Sequence, residues 1–260
     1  MREDVSIRLI TQATTATFSD LYFRLTFLFF IQAGSKRVLD SDNSAFLGRK
    51  GDLLIFPPGS VVTMENRPLL DENYRAVGVS FTDELIAEVF ADSPRPVTQP
   101  SVQIVRAKPD APMEVLPIIQ ATLEDLSLPT AIRRHRLLEP LIWLRDRGLM
   151  LPTLSKELPL SRVRSVIETD LERNWRATEV ADRLAMSEAT MRRWLAKSGH
   201  GFSKILLHTR LEHGLGLLQT TDIPISEIAL DCGFKTPSHF SESFKKRFGI
   251  RPSEIRSART

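Results

Sequence analysis

Two short stretches in the C-terminal part of this 260-residue chain place side chains at spacings suited to nucleic-acid chemistry. In "EATMRRWLAK", Met191 and Leu195 stand four residues apart. Turned inward at about 100° per residue, they leave Ala189, Thr190, Arg193 and Lys197 outside, with Arg192 on the flank. In "SHFSESFKKRF", Phe240, Phe244 and Phe248 turn inward the same way and expose Ser238, His239, Glu242, Lys245 and Lys246. A guanidinium can hold guanine through two hydrogen bonds, a lysine ammonium suits phosphate, and a helix with such an outer face fits the major groove. Any one of these charges also suits a solvated helix face. Two such helices in tandem are hard to reconcile with a plain helical bundle.

Other chemistries find no support. Residues 1–134 contain no histidine; His135 lies on a predicted helix, and His200, His208, His213 and His239 are scattered over the C-terminal part. Neither a metal site of two or three histidines with a carboxylate nor any cofactor is therefore expected. There is no G-x-S-x-G elbow and no phosphate-cradling glycine loop, "GLG" at Gly214 to Gly216 being too short. Cys232 is the only cysteine, which excludes an internal disulfide and a cysteine-based zinc site, and its place inside a predicted helix reads as a small core residue. No enzyme is expected.

The elements that must hold the two polar faces form a repeat. Val180-Ala181 matches Ile228-Ala229, Leu184-Ala185-Met186 matches Cys232-Gly233-Phe234, and Met191 and Leu195 match Phe240 and Phe244, at a shift of about 49 residues. Each copy reads as helix, tight turn, helix. The small residue lets the helices cross closely, and Met186 or Phe234 closes the corner. Thr178 and Ser187 are expected to cap the helices after them, and Thr236-Pro237 sets a hydroxyl before a first-turn proline. Between the copies, Ser203 to Gln219 reads as a connecting helix with Ile205, Leu206, Leu211, Leu215 and Leu218 as its apolar positions. Gly214 and Gly216 within it each cost about 1 kcal/mol of helix stability relative to alanine, which predicts a softened connector.

The rest of the chain reads as a second domain. Residues 1–158 carry 18 Lys+Arg against 20 Asp+Glu, whereas residues 159–260 carry 17 against 12, so the basic excess sits in the C-terminal part. Short β-branched and aromatic runs alternate with turns over residues 18–81 and predict an antiparallel sandwich or barrel. Phe27, Phe29 and Phe56 within it either line an effector pocket or form an aromatic core without a ligand. Helical spacing follows from Thr82. In "TAIRRHRLLEPLIWLRDRGL" the stripe Ile132, Leu137, Leu138, Leu141, Ile142 and Leu144 either packs on the strands or makes a dimer contact, for which Leu137, Leu138, Leu141 and Ile142 are the candidates. The expected division is a regulatory domain over 1–150, a linker over 151–160 and the tandem units over 161–256. The start "MREDVSIRLI" lacks the apolar core of a secretory signal, and the most apolar run, Leu25 to Ile31, is far shorter than a membrane span. No membrane association and a cytoplasmic setting are expected.

Residues Ser161 to Arg256 resemble the AraC/XylS family of bacterial transcription regulators, most strongly in "TTDIPISEIALDCGFKTPSHFSESFKKRFGIRPSEIR" with its Ile-Ala pair, Gly-Phe turn, Phe-x-x-x-Phe-Lys-Lys and Gly-x-x-Pro. The resemblance implies an α+β two-domain protein: a cupin-like β-barrel or jelly roll with helices, then an all-α domain with two helix-turn-helix units reading successive major grooves. By motif position, the family's base readers fall on Ala189, Arg192 and Arg193 in the first unit and on Pro237, Ser238 and Glu242 in the second. Lys197, Lys245 and Lys246 are the expected phosphate contacts. Family members often carry arginine where Glu242 stands; glutamate cannot bind phosphate but can accept from cytosine N4. "GDLLIFPPGSVV" loosely resembles the family's barrel-like domain, which binds a small effector, forms a homodimer or contacts a regulatory protein. The implied partners are promoter DNA and RNA polymerase, and the implied role is activation, with repression or action mainly through protein contacts as alternatives.

Overall fold

The computed structural model describes residues 4–40, 42, 44–92, 101–152, 159–197, 199 and 201–256. Backbone contacts divide the chain into two compact units, Met1–Leu154 and Ser155–Thr260. Of the expected linker, residues 153–158 lie outside the described residues.

The first unit contains strands β1 (Val5–Gln12), β2 (Ala16–Phe23), β3 (Thr26–Ala33), β4 (Ser35–Leu39), β5 (Ala45–Arg49), β6 (Leu53–Phe56), β7 (Ser60–Arg67) and β8 (Tyr74–Phe81). Helix α1 (Asp83–Phe90), strand β9 (Gln103–Val105), a 3-10 turn (Pro112–Val115) and helices α2 (Leu116–Glu124) and α3 (Thr130–Asp146) follow. The strands pair antiparallel in two sheets, ordered β1-β8-β3-β6-β9 and β2-β7-β4-β5. Strand β3 is apolar almost throughout because both its faces are covered. Leu28 and Phe30 on one face join Val77, Val79 and Phe81 in a core with Leu85 and Ile86 of α1, Ile119 of α2 and Leu137, Leu141 and Leu144 of α3. Phe27 and Phe29 on the other face meet the ring of Phe23 on β2, in the second sheet. Leu137 and Leu141 are 3% and 0% exposed, so the idea that they make a dimer contact is corrected: the sheet already buries them. Leu138 is partly buried against the same core, whereas Ile132 and Ile142 stand exposed.

The second unit is all helix: α4 (Pro159–Ile167), α5 (Ala177–Arg183), α6 (Glu188–Lys197), α7 (Phe202–Thr220), α8 (Ile225–Asp231), α9 (Pro237–Phe248) and α10 (Pro252–Arg256). Helix α7 runs unbroken through both glycines. The start of α9 follows the sequence reading, with Thr236 Oγ1 accepting from the His239 N–H at 3.2 Å and Pro237 in the first turn. Ser187 Oγ accepts from the Thr190 N–H at 3.1 Å in the same way before α6. Thr178 does not cap α5. That helix starts two residues earlier than the Thr178 reading requires, at Ala177, and Glu179 reaches back to accept from the Arg176 N–H at 3.0 Å.

Candidate nucleic-acid interface

The turns of the two copies are built by the same backbone hydrogen bonds. At the end of α5, the Met186 N–H donates to the Ala181 carbonyl at 3.0 Å and the Ala185 N–H to that of Asp182 at 3.0 Å. Forty-eight residues on, at the end of α8, the Phe234 N–H donates to Ala229 at 2.9 Å and the Gly233 N–H to Leu230 at 2.7 Å. Ala185 and Gly233 both adopt positive φ, 55° and 73°, so the chain leaves each helix through the left-handed conformation and turns sharply into the next. Buried Val180-Ala181 and Ile228-Ala229 let the following helices, α6 and α9, cross close by.

Each second helix buries the face that the sequence assigned to the core. Met191 and Leu195 are buried on α6, and Phe240, Phe244 and Phe248 on α9. Those three rings and Phe234 form a continuous stack with centroids 5.3, 5.6 and 4.7 Å apart. Ala189, Arg192, Arg193 and Lys197 stand exposed on α6, as do Pro237, Ser238, Glu242, Lys245 and Lys246 on α9. His239 is exposed too, but its ring lies edge-on to Phe234 at 5.3 Å, which gives it a packing role. The structure thus brings all the expected readers and phosphate contacts to the outer faces of two helices.

Sequence reasoning missed the groups that hold these faces. Glu188 in the first turn of α6 accepts from Arg192 Nε at 2.6 Å, an i,i+4 pair that lays the guanidinium along the helix. Thr190 Oγ1 lies 3.5 Å from Arg193 Nη2 and 2.9 Å from Ser187 Oγ. The i,i+4 spacing of Glu188 and Arg192 was available in the sequence. The contact of Arg210 on α7 with the Leu171 and Arg173 carbonyls, at 3.0 and 2.9 Å, was not, because it spans 39 and 37 residues.

The first unit holds a different kind of site. Lys36 on β4 is 0% exposed, its Nζ donating to Asn66 Oδ1 at 2.5 Å and to Met64 Sδ at 3.2 Å. That Nζ sits 4.2 Å from the centre of the Phe29 ring and 5.2 Å from that of Tyr74. Asn66 Nδ2 donates onward to Gln12 Oε1 at 2.8 Å. Burial pushes the Lys36 ammonium down to about 7 and raises the Tyr74 hydroxyl. Among the described residues no carboxylate pairs with Lys36, and the buried Tyr74 hydroxyl has no hydrogen-bond partner. Phe27, Phe29, Phe56 and Phe23 pack ring on ring beside it, with centroids 4.6 to 5.9 Å apart. Among the described residues, no cluster of His, Cys, Asp and Glu could hold a metal ion, and no helix is long and apolar enough to cross a membrane.

Comparison with known proteins agrees with this geometry. Residues 180–258 match a helix-turn-helix domain family. The transcriptional regulator SirC of Salmonella typhimurium is 41% identical over 91 residues, which is 35% of this chain and 31% of SirC. The transcriptional activator PerA of Escherichia coli O127:H6 is 34% identical over 107 residues, 41% of this chain and 39% of PerA. The chain therefore spans about a third of the length of the curated relatives it matches, which are named as regulators of transcription and not as enzymes. Two solved structures of ToxT from Vibrio cholerae share the fold over 97–98% of this chain and 96–97% of theirs. An apo form has a TM-score of 0.71 at 16% identity, and a form bound to an unsaturated fatty acid has a TM-score of 0.62 at 16%. With its twin helix-turn-helix backbones and this sequence match, the C-terminal domain is similar to the helix-turn-helix domain of these regulators of transcription.

Proposed function

We propose that the protein is a sequence-specific DNA-binding regulator of transcription, acting as an activator, in which α6 and α9 enter successive major grooves. The observation that carries this reading is the twofold occurrence of one backbone turn, each followed by a helix with aromatic or aliphatic side chains inward and polar, mostly basic ones outward. Arg192 and Arg193 read bases, with Ala189, Pro237, Ser238 and Glu242 completing the two contact faces. Lys197, Lys245 and Lys246 neutralise phosphates. The name of PerA, a transcriptional activator, favours activation over repression.

Selection of bound sequences from a random duplex pool, repeated at two salt concentrations, tests the proposal. A motif of two half-elements one helical turn apart is the expected result. Arg193→Ala should cost about 1–3 kcal/mol and relax one base preference, while Lys245→Ala should weaken all sequences alike and lower the salt slope by about one. Equal losses on specific and random DNA for both variants would refute the assignment.

A second reading concerns residues 1–150, favoured by the buried, carboxylate-free Lys36 site. We infer that this domain receives an amphipathic carboxylic acid whose head group pairs with Lys36 and whose chain lies among the phenylalanines, in keeping with the unsaturated fatty acid bound to ToxT. Isothermal titration with an unsaturated fatty acid should show binding that Lys36→Met abolishes. Equal affinity in the variant would overturn this role.

A further inference from the structure

Glu212 is the only carboxylate of α7, and it faces both halves of the C-terminal unit. Its Oε2 accepts from Arg164 Nη1 at 2.5 Å, its Oε1 accepts from Arg164 Nη2 at 3.2 Å, and Oε1 also accepts from Arg247 Nη2. The side chains of Arg164, Glu212 and Arg247 are 5%, 12% and 8% exposed, so the triad is shielded from water. Arg164 belongs to α4, whose Val163 and Ile167 share a core with Met191 and Leu195 of α6. Arg247 lies in the last turn of α9, between the buried Phe244 and Phe248. One carboxylate therefore ties the support of the first recognition helix to the second recognition helix itself.

We propose that Glu212 and its two arginines set the register between α6 and α9, and thereby fix the spacing and phase of the two half-elements read on DNA. The proposal rests on the DNA-binding reading above. Buried ion pairs contribute little net stability, because the cost of removing charges from water offsets their attraction, and well-packed apolar side chains of similar size do as well. What a two-pronged guanidinium–carboxylate contact supplies is a single allowed geometry. Apolar surfaces can slide past one another by an ångström at little cost, whereas the fork between Arg164 and Glu212 cannot. A second contact locks the same boundary. A Cβ placed on Gly233, in the turn before α9, would lie 2.2 Å from the Leu171 carbonyl oxygen, and Arg210 bonds that same oxygen. The connector with two glycines is thus held from outside the helix.

Glu212 is a positioning residue, so the test reads spacing rather than affinity alone. Full-length wild type and Glu212→Gln are titrated with the selected duplex and with versions in which one base pair is inserted or deleted between half-elements, a change of about 35° in phase. Wild type should lose about tenfold in affinity for each such change, and Glu212→Gln should show a flattened profile, with less than about threefold between spacings. Because Glu212→Gln leaves two buried guanidiniums without their anion, a combined variant, Arg164→Met with Glu212→Leu and Arg247→Met, provides a folded, apolar replacement that should flatten the profile in the same way. A DNA-free arm attaches spin labels at Ala196→Cys and Lys246→Cys, where a narrow distance distribution in the wild-type background should broaden on Glu212→Gln. Equally steep spacing profiles in all three proteins, or an equally narrow distribution, would overturn the proposal. Broadening on Glu212→Gln, together with no duplex enriched from the random pool by the wild type, would sink the DNA-binding reading and leave the coupling standing.

Discussion

Replacing Gly214 by alanine separates two opposite expectations by sign. On helix propensity alone, alanine in the middle of α7 should stabilise by about 1 kcal/mol. In the structure, however, a Cβ at Gly214 would lie 2.8 and 2.9 Å from two ring carbons of Phe240 and 3.2 Å from the Cys232 sulfur. Phe240 is 0% exposed and stands between Phe234 and Phe244, at centroid distances of 5.3 and 5.6 Å, so its ring cannot swing aside without displacing α9. Overpacking of this kind costs about 1–3 kcal/mol. Set against the propensity gain, Gly214→Ala should destabilise the C-terminal unit by about 1 kcal/mol. Amide hydrogen exchange of peptides covering α7 to α9 in the full chain reads this unit separately from the first. About a fivefold faster exchange through unfolding is expected for that loss. Adding Phe240→Leu should relieve the crowding, giving a favourable coupling of about 0.5–3 kcal/mol in a double-mutant cycle. Slower exchange in Gly214→Ala than in wild type would refute the close-approach account and restore the idea of a connector softened by its glycines.

Ala185 holds a left-handed conformation that its repeat partner Gly233 adopts freely. Ala185→Gly relieves about 1–2 kcal/mol of strain less about 0.5–1 kcal/mol of glycine's added chain entropy, so urea unfolding should show a gain of up to about 1.5 kcal/mol. Lys36, held to about 7 in the fold against its ordinary 10.5, makes the unfolded first domain carry one more proton than the folded one between those values. Stability should therefore rise with pH across that window by up to about 1.4 kcal/mol per unit, and show no slope from this residue below pH 7. Urea midpoints of Lys36→Met should lose that rise, and an unchanged slope would refute it. Burial pushes the Cys232 thiol up to about 12, so iodoacetamide at pH 8 should modify it only after unfolding, and rapid labelling of the native protein would contradict its place beneath α9.

The sequence by itself determined what depends on periodicity and local chemistry. Three phenylalanines four apart define the inner face of α9 and, by subtraction, its outer one. The Thr-Pro start, the Gly-Phe turn and the fainter copy upstream mark both helix-turn-helix units, since a cap, a left-handed residue and a corner-filling side chain act within a few residues of each other. The β-rich character of residues 18–81 was legible for the same reason, but β1 was not, because "VSIRLITQ" carries only a weak alternation until β8 pairs with it. Tertiary structure alone decided the rest. It placed Leu137 and Leu141 in one core with residues of β3 and β8, more than fifty residues earlier in the chain, and it turned Gly214 from a weak point into a seat for Phe240. It also buried Lys36 among aromatic rings and brought Arg164, Glu212 and Arg247 to one point from positions 35 and 48 residues apart. A charged residue in a sequence reads as surface; only packing from distant segments can remove its water and surround it with apolar or oppositely charged neighbours.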